Sequence, residues 1–244
     1  MEGKNNNRIK KSLKTTIALM AVAGLTAGAT FALLSNETEK LVNTFTPGGG
    51  IELELNEPNW DPDGEAANFA PGSFIPKDPT ITVPSTSAHD EYVAATVEFY
   101  VDKNGDKIYT GDEKVSYDEF TSIYADVYYL NGKDVSETSE TYNTGSWYTD
   151  NFERFYFGTS SNPDDLNVFF KGDSHVLFDT VVVKKNIPVY TTDTAEYTKG
   201  TPIAFKIDVK AYGVQDSIDK ETAKKALDLM IEGKDPNIDI YSDR

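Results

Sequence analysis

The sequence predicts a mainly β protein, an antiparallel, jelly-roll-like β-sandwich with one or two peripheral helices, preceded by an N-terminal signal helix. Three observations carry that expectation. Apolar and polar residues alternate with period two along several segments, β-branched and aromatic residues dominate those segments, and helical spacing is strong only near the C-terminus. Many strands with few flanking helices pack as antiparallel layers.

The chain opens with a basic segment, Lys4, Arg8, Lys10, Lys11 and Lys14. An apolar run from Ile17 to Leu34 follows, and small residues crowd Ala27, Gly28, Ala29, Thr30 and Ala32. A secretory signal has that order. We expect a signal peptide over 1–32, cut between Ala32 and Leu33, with a cut after Ala29 as the alternative. A retained anchor would need about 18–20 apolar residues. Gly24, Thr26, Gly28 and Thr30 weaken that reading, and no basic stop-transfer cluster follows. Residues 33–46 then form an N-terminal arm, 47–215 the β-sandwich, and 216–244 a helix with a polar tail.

Within the arm, Leu41 to Thr46 has strand composition, and Pro47-Gly48-Gly49-Gly50 breaks it. Ile51, Leu53 and Leu55 alternate with Glu52 and Glu54, as in a half-buried strand. From Asn56 to Pro84 the chain is rich in Pro, Asp and Gly and reads as a surface excursion anchored by Trp60, Phe69, Phe74 and Ile75. Tyr92–Val101 is the strongest strand, with Val93, Ala95, Val97, Phe99 and Val101 on one face. Tyr117–Ile123 suits a short helix, and Asp126–Leu130 a strand ended by the hairpin turn Asn131-Gly132. Further strands are expected over Phe152–Phe157, Leu166–Phe170, Val176–Val183 and Pro202–Tyr212. Asp219 caps a helix running to about Glu232, whose Ala223, Ala226, Leu227 and Met230 share a face, and Gly233 stops it.

The full chain carries 23 Lys+Arg against 40 Asp+Glu. Removing residues 1–32 takes away five basic residues and Glu2, leaving a net charge of about −21. Such a surface repels nucleic acid and anionic lipid, so membrane contact is expected only through the uncleaved signal. There is no cysteine, which suits an exported protein of a single-membrane bacterium.

The sharpest local motif runs from Asp102 to Glu113. Asp102, Asn104 and Asp106, the Ile108 carbonyl and Glu113 fall at positions 1, 3, 5, 7 and 12 of a calcium loop, with Asp112 competing for the last place. Lys107 stands where such a loop has its glycine, and a strand rather than a helix precedes it. The bland alternative is a polar loop turning at Asn104-Gly105. Asp61-Pro62-Asp63-Gly64-Glu65 is a weaker acidic candidate.

Catalytic signatures are missing from the sequence. No His-Glu-x-x-His occurs, and His89 and His175 stand apart, read as surface residues. There is no Cys nucleophile and no Gly-x-Ser-x-Gly elbow. Paired carboxylates carry little information in so acidic a chain, so no enzyme activity is expected. Trp147, Tyr148, Phe155 and Tyr156 are candidates for stacking sugars, although alternate strand positions are also core positions.

Thr30-Phe31-Ala32, then Leu34-Ser35-Asn36-Glu37-Thr38-Glu39 and Val42-Asn43-Thr44-Phe45-Thr46-Pro47-Gly48, resemble the start of TasA/camelysin-type secreted proteins. The likeness continues through Leu53-Glu54-Leu55-Asn56-Glu57-Pro58-Asn59-Trp60. It returns at Leu177-Phe178-Asp179, Val181-Val182-Val183 and Ile207 to Gln215. About Lys103 to Pro163 has no counterpart in that likeness. The resemblance implies processing by a dedicated SipW-type signal peptidase and a jelly-roll subunit of the biofilm matrix, assembling with itself or with related matrix proteins. It also implies donation of an N-terminal strand to the next subunit. The sequence suits that mechanism: Leu41, Val42 and Phe45 are apolar, and the breaker after them lets the arm swing. The alternative is that Leu41–Thr46 is the first strand of its own domain.

The processed chain is expected to begin at Leu33, as N-terminal sequencing of secreted protein would show. A terminus at Met1 in an integral membrane fraction would overturn the export reading.

Overall fold

The computed structural model describes residues 32–35, 41–44, 51–60, 66 and 69–236. The expected signal helix, Phe45, the Pro47–Gly50 breaker, the acidic cluster 61–65 and the tail from 237 lie outside those residues. Two short N-terminal strands come first, β1 (Ala32–Ser35) and β2 (Leu41–Thr44), and then β3 (Glu52–Asn56). They are followed by β4 (Phe74–Pro76), β5 (Thr80–Thr82), β6 (Glu91–Val101) and β7 (Lys114–Val115). Helix α1 (Tyr117–Ile123) precedes β8 (Ala125–Tyr128), β9 (Trp147–Tyr148) and β10 (Arg154–Phe157). Last come β11 (Ser174–Val176), β12 (Thr180–Val183), β13 (Phe205–Gln215) and helix α2 (Lys220–Ile231).

Every strand pair is antiparallel. The large sheet runs β1-β13-β6-β10-β9, with β7 also on β6, and two smaller sheets run β11-β5-β3-β2 and β4-β12-β8. The protein is therefore mainly β, with two α-helices among the described residues.

The centre of the large sheet is β6 against β13, in register from Phe205↔Val101 to Gln215↔Glu91. Strict alternation predicts one buried face for β6, yet its first seven residues are all buried. The reason is that this sheet is covered on both sides. Val93, Val97 and Phe99 share one core with Leu53 and Leu55 of β3, Ile81 of β5 and Val181 of β12. Tyr92, Ala94, Tyr212 and Val214 share a second core with Ala223, Ala226, Leu227 and Met230 of α2. The four residues read as the apolar face of that helix are the four it buries.

Capping fixes both helices where the sequence places them. Ser116 Oγ accepts Glu119 N–H (3.2 Å) at the start of α1, and Asp219 Oδ1 accepts Thr222 N–H (2.9 Å) at the start of α2. Gly233, at φ 71°, follows the end of α2. Tyr156 of β10 donates to Asp228 Oδ1 (2.5 Å), which ties the helix to the sheet beneath it.

Several expectations are corrected. The Asn56–Pro84 excursion contains β4 and β5, and Phe74 is 54 % exposed while Ile75 is buried. Leu166–Phe170 is not a strand but carries two isolated bridges, Gly158↔Leu166 and Glu91↔Phe169. Val176–Val183 is split, because Leu177 and Phe178 turn into the core between β11 and β12. Asn131 and Gly132 make the tight turn with φ 48° and 77°, but no hairpin results, since β8 pairs with β12. His175 is not a plain surface residue: its ring packs 4.7 Å from Phe157 and 4.9 Å from Phe169, and burial lowers its pKa.

Glu91, the first residue of β6, is fully buried. Its Oε1 accepts weakly from Ser87 Oγ (3.4 Å) and its Oε2 has no hydrogen-bond partner. A methyl group at Gly213 would collide with that Oε2. Burial pushes its pKa from 4.5 up to about 8, against the lowering effect of the Ser87 hydroxyl and the Glu52 backbone, with the charges of Glu52 and Asp90 adding to the rise. The folded chain thus holds a proton that the unfolded chain releases near pH 4.5. The associated stability is complete below that pH and is lost as pH rises through about 8. The melting temperature should therefore fall between about pH 5 and 8, and Glu91→Gln, which stays neutral, should remove that component.

Candidate functional site

The chain leaves β6 into the acidic loop, and a single buried carboxylate shapes the turn. Asp102 Oδ1 accepts the N–H groups of Gly105 (2.6 Å) and Asp106 (3.2 Å), and Oδ2 accepts that of Lys107 (2.9 Å). Asn104 Oδ1 accepts Asp106 N–H (3.0 Å), and Asp106 Oδ1 accepts Ile108 N–H (2.8 Å). Tyr190 OH donates to the Asp102 carbonyl (2.7 Å), holding the loop to the segment before β13.

Two residues take left-handed backbone here, Gly105 at φ 72° and Lys107 at φ 60°. At Gly105 any side chain would strike Thr194. Lys107 makes the turn despite its Cβ, at a cost of about 1–2 kcal/mol. The bond to Asp102, an ion pair with Glu196 (3.2 Å) and a position 5.3 Å from the centre of the Tyr197 ring offset that cost. The mismatch at Lys107 therefore does not prevent the turn.

The structure brings Asp102, Asn104 and Asp106 into one loop, with Ile108 61 % exposed at its far side. Glu113 lies in a 3-10 turn, where its Oε2 accepts Thr110 N–H (3.2 Å) and its buried Oε1 has no hydrogen-bond partner. Among the described residues, no three His, Cys, Asp or Glu side chains come together so as to hold a metal ion. Calcium would have to share oxygens that already accept amides.

Beside this loop lies a cavity of about 460 Å³, which sequence reasoning missed. Trp60 and Phe69 come to it from the excursion, Ile75 and Lys77 from the β4 segment, Tyr109 from the acidic loop, and Phe205 to Asp208 from β13. Lys77 Nζ donates to Glu57 Oε1 (2.7 Å), with the two side chains 8 % and 9 % exposed. Next to it, Asp78 accepts both Asn59 N–H (2.9 Å) and Asn59 Nδ2–H (2.8 Å). These bonds secure the start of the excursion and bring Trp60 to the cavity. The naming of Trp60 and Phe69 as anchors was the one available signal, because the partners come from four distant segments.

The aromatics expected to stack sugars are mostly core. Trp147, Phe155 and Tyr156 are buried, and Tyr148 is half-buried. No helix among the described residues is long and apolar enough to cross a membrane. No family model matches the chain, and neither a curated protein nor a solved structure matches it.

Replacing Asp102 by Ala strands the N–H groups of Gly105 and Lys107, leaving Asp106 N–H to Asn104 alone, and should cost about 2–4 kcal/mol. Thermal unfolding of Asp102→Ala should show that loss equally with calcium or with chelator. A calcium-dependent rise in the parent's melting temperature, absent from the variant, would instead make the cation the loop's organiser.

Proposed function

We propose that the processed chain is a secreted structural subunit of a cell-surface fibre or biofilm matrix, a jelly-roll-like unit that assembles by exchanging N-terminal strands between copies. One observation carries this reading. The two N-terminal strands occupy edges of two different sheets, β1 on β13 and β2 on β3, each hydrogen-bonded to one neighbour. Their registers, Leu33↔Tyr212 and Val42↔Glu54, are main-chain pairings that a second copy can supply equally well. Seven residues, 45–51, join β2 to β3, and their Pro-Gly-Gly-Gly sequence suits a hinge.

The expected cleavage point falls inside β1, between Ala32 and Leu33. Processing would leave Leu33–Ser35 for that strand and free its end. An exchange that passes each arm to the next copy does not close on itself and so makes filaments. The order of motifs resembling the TasA/camelysin family supports the same reading. The cavity favours a second one, a monomeric surface-binding module of the same fold.

A protein beginning at Gly48 should stay folded, because the core residues described begin at Ile51, but should not form filaments. A peptide spanning residues 33–46 should bind it, and Leu41→Asp with Phe45→Asp in that peptide should abolish binding by placing charge against an apolar surface. Electron microscopy and calorimetry would read both results. A truncated protein that unfolds, or one that still polymerises, would overturn the proposal.

A further inference from the structure

The cavity beside the acidic loop carries an inference that goes beyond fibre assembly. Its volume of about 460 Å³ lies within the range of small-molecule sites. Trp60, Phe69, Tyr109 and Phe205 make much of its wall. Set among them is the Lys77–Glu57 pair, nine-tenths removed from water. A buried ion pair is favourable only when its remaining hydrogen-bonding capacity is met. Here it is not met. Among the described residues the Lys77 ammonium donates only to Glu57 and otherwise lies 4.6 Å from the centre of the Trp60 ring, and the Glu57 carboxylate accepts only from Lys77. Ammonium protons and a carboxylate oxygen are left over at the same wall.

The charges around the cavity select the class of ligand. Lys77 is matched by Glu57, Lys206 by Asp208 (2.7 Å) and Lys107 by Glu196 (3.2 Å). An anion would have to compete with Glu57 for Lys77, and a cation with Lys77 for Glu57. A neutral ligand with adjacent hydroxyls meets neither conflict, because each hydroxyl both donates and accepts. Its C–H faces suit aromatic walls, on which apolar surface is removed from water. We propose that this cavity binds a neutral carbohydrate, held by the Lys77–Glu57 pair and packed against Trp60 and Tyr109.

The test titrates the processed protein with cellotetraose, a β-1,3-glucan tetramer and an N-acetylglucosamine tetramer, read by calorimetry and by tryptophan fluorescence. The chain has two tryptophans and Trp147 is buried in the core, so a fluorescence change reports Trp60. At least one of the sugars should bind saturably below about 10 mM. Lys77→Met should weaken it by about tenfold or more, as expected for a lost hydrogen bond to a charged group. Tyr109→Ala, which lines the cavity from the acidic loop and not from the segments of the ion pair, should also weaken it and guards against misfolding of the first variant. Each variant should keep the parent's near-ultraviolet circular dichroism and its ability to polymerise, which separates this proposal from the fibre reading. The proposal is overturned if none of the three sugars binds, if binding is unchanged in both variants, or if only an aromatic sulfonate dye occupies the cavity.

Discussion

The antiparallel ladder between β6 and β13 sets the geometry on which the other parts of the molecule rely. Both strands span eleven residues, and their pairing is unbroken from Val101 to Glu91 on one side and from Phe205 to Gln215 on the other. β10 and β7 use the free side of β6, β1 uses the free side of β13, and both faces of the ladder are covered. Covering both faces is what permits strands so short elsewhere: three residues in β4, β5 and β11 cannot hold a sheet alone. It also explains the apolar runs in β6, where burial on one side only would leave Ala94 and Tyr92 in water.

The same strand serves two ends. Residues 205–208 of β13 line the cavity, while 210–213 pair with β1. Glu91 lies at the far end of this ladder, against Gly213 and close to Glu52 of β3, near the places where the two N-terminal strands dock. A neutral carboxyl tolerates that position and an ionised one does not. On the proposed reading electrostatics would act on assembly as well. Copies without residues 1–32, of net charge about −21, would repel one another, and filament growth would depend on screening by salt over about a Debye length.

Local signals were legible in the sequence. The span of α1, the cap, buried face and stop of α2, and the alternation of β3 each depend on residues a few positions apart, and each stands where it was expected. What failed was non-local. Leu166–Phe170 has strand composition, but its bonding goes to Gly158 and Glu91 as single bridges. Asn131-Gly132 fixes a turn without fixing which strand follows. The acidic loop shows a different limit. Carboxylates at calcium spacing also serve to accept backbone N–H groups, and Asp102 does so three times. The Lys77–Glu57 pair is twenty residues apart with nothing in the sequence to join them. The N-terminal segment was legible as a strand, while the sheet it completes was not, because its partners lie on β3 and β13.

In a chain without cysteine, the question of whose sheet the arm completes has a direct measurement. Val42 and Glu54 are register partners across β2 and β3, and facing residues on antiparallel strands lie within disulfide reach. Processed Val42→Cys and Glu54→Cys proteins, mixed under filament-forming conditions and oxidised, should cross-link to each other far more than either does with itself. Strand exchange between copies predicts that mixed dimer. Its absence, with a Val42→Cys/Glu54→Cys double variant closing only within single chains, would contradict the account and leave the arm as part of its own domain.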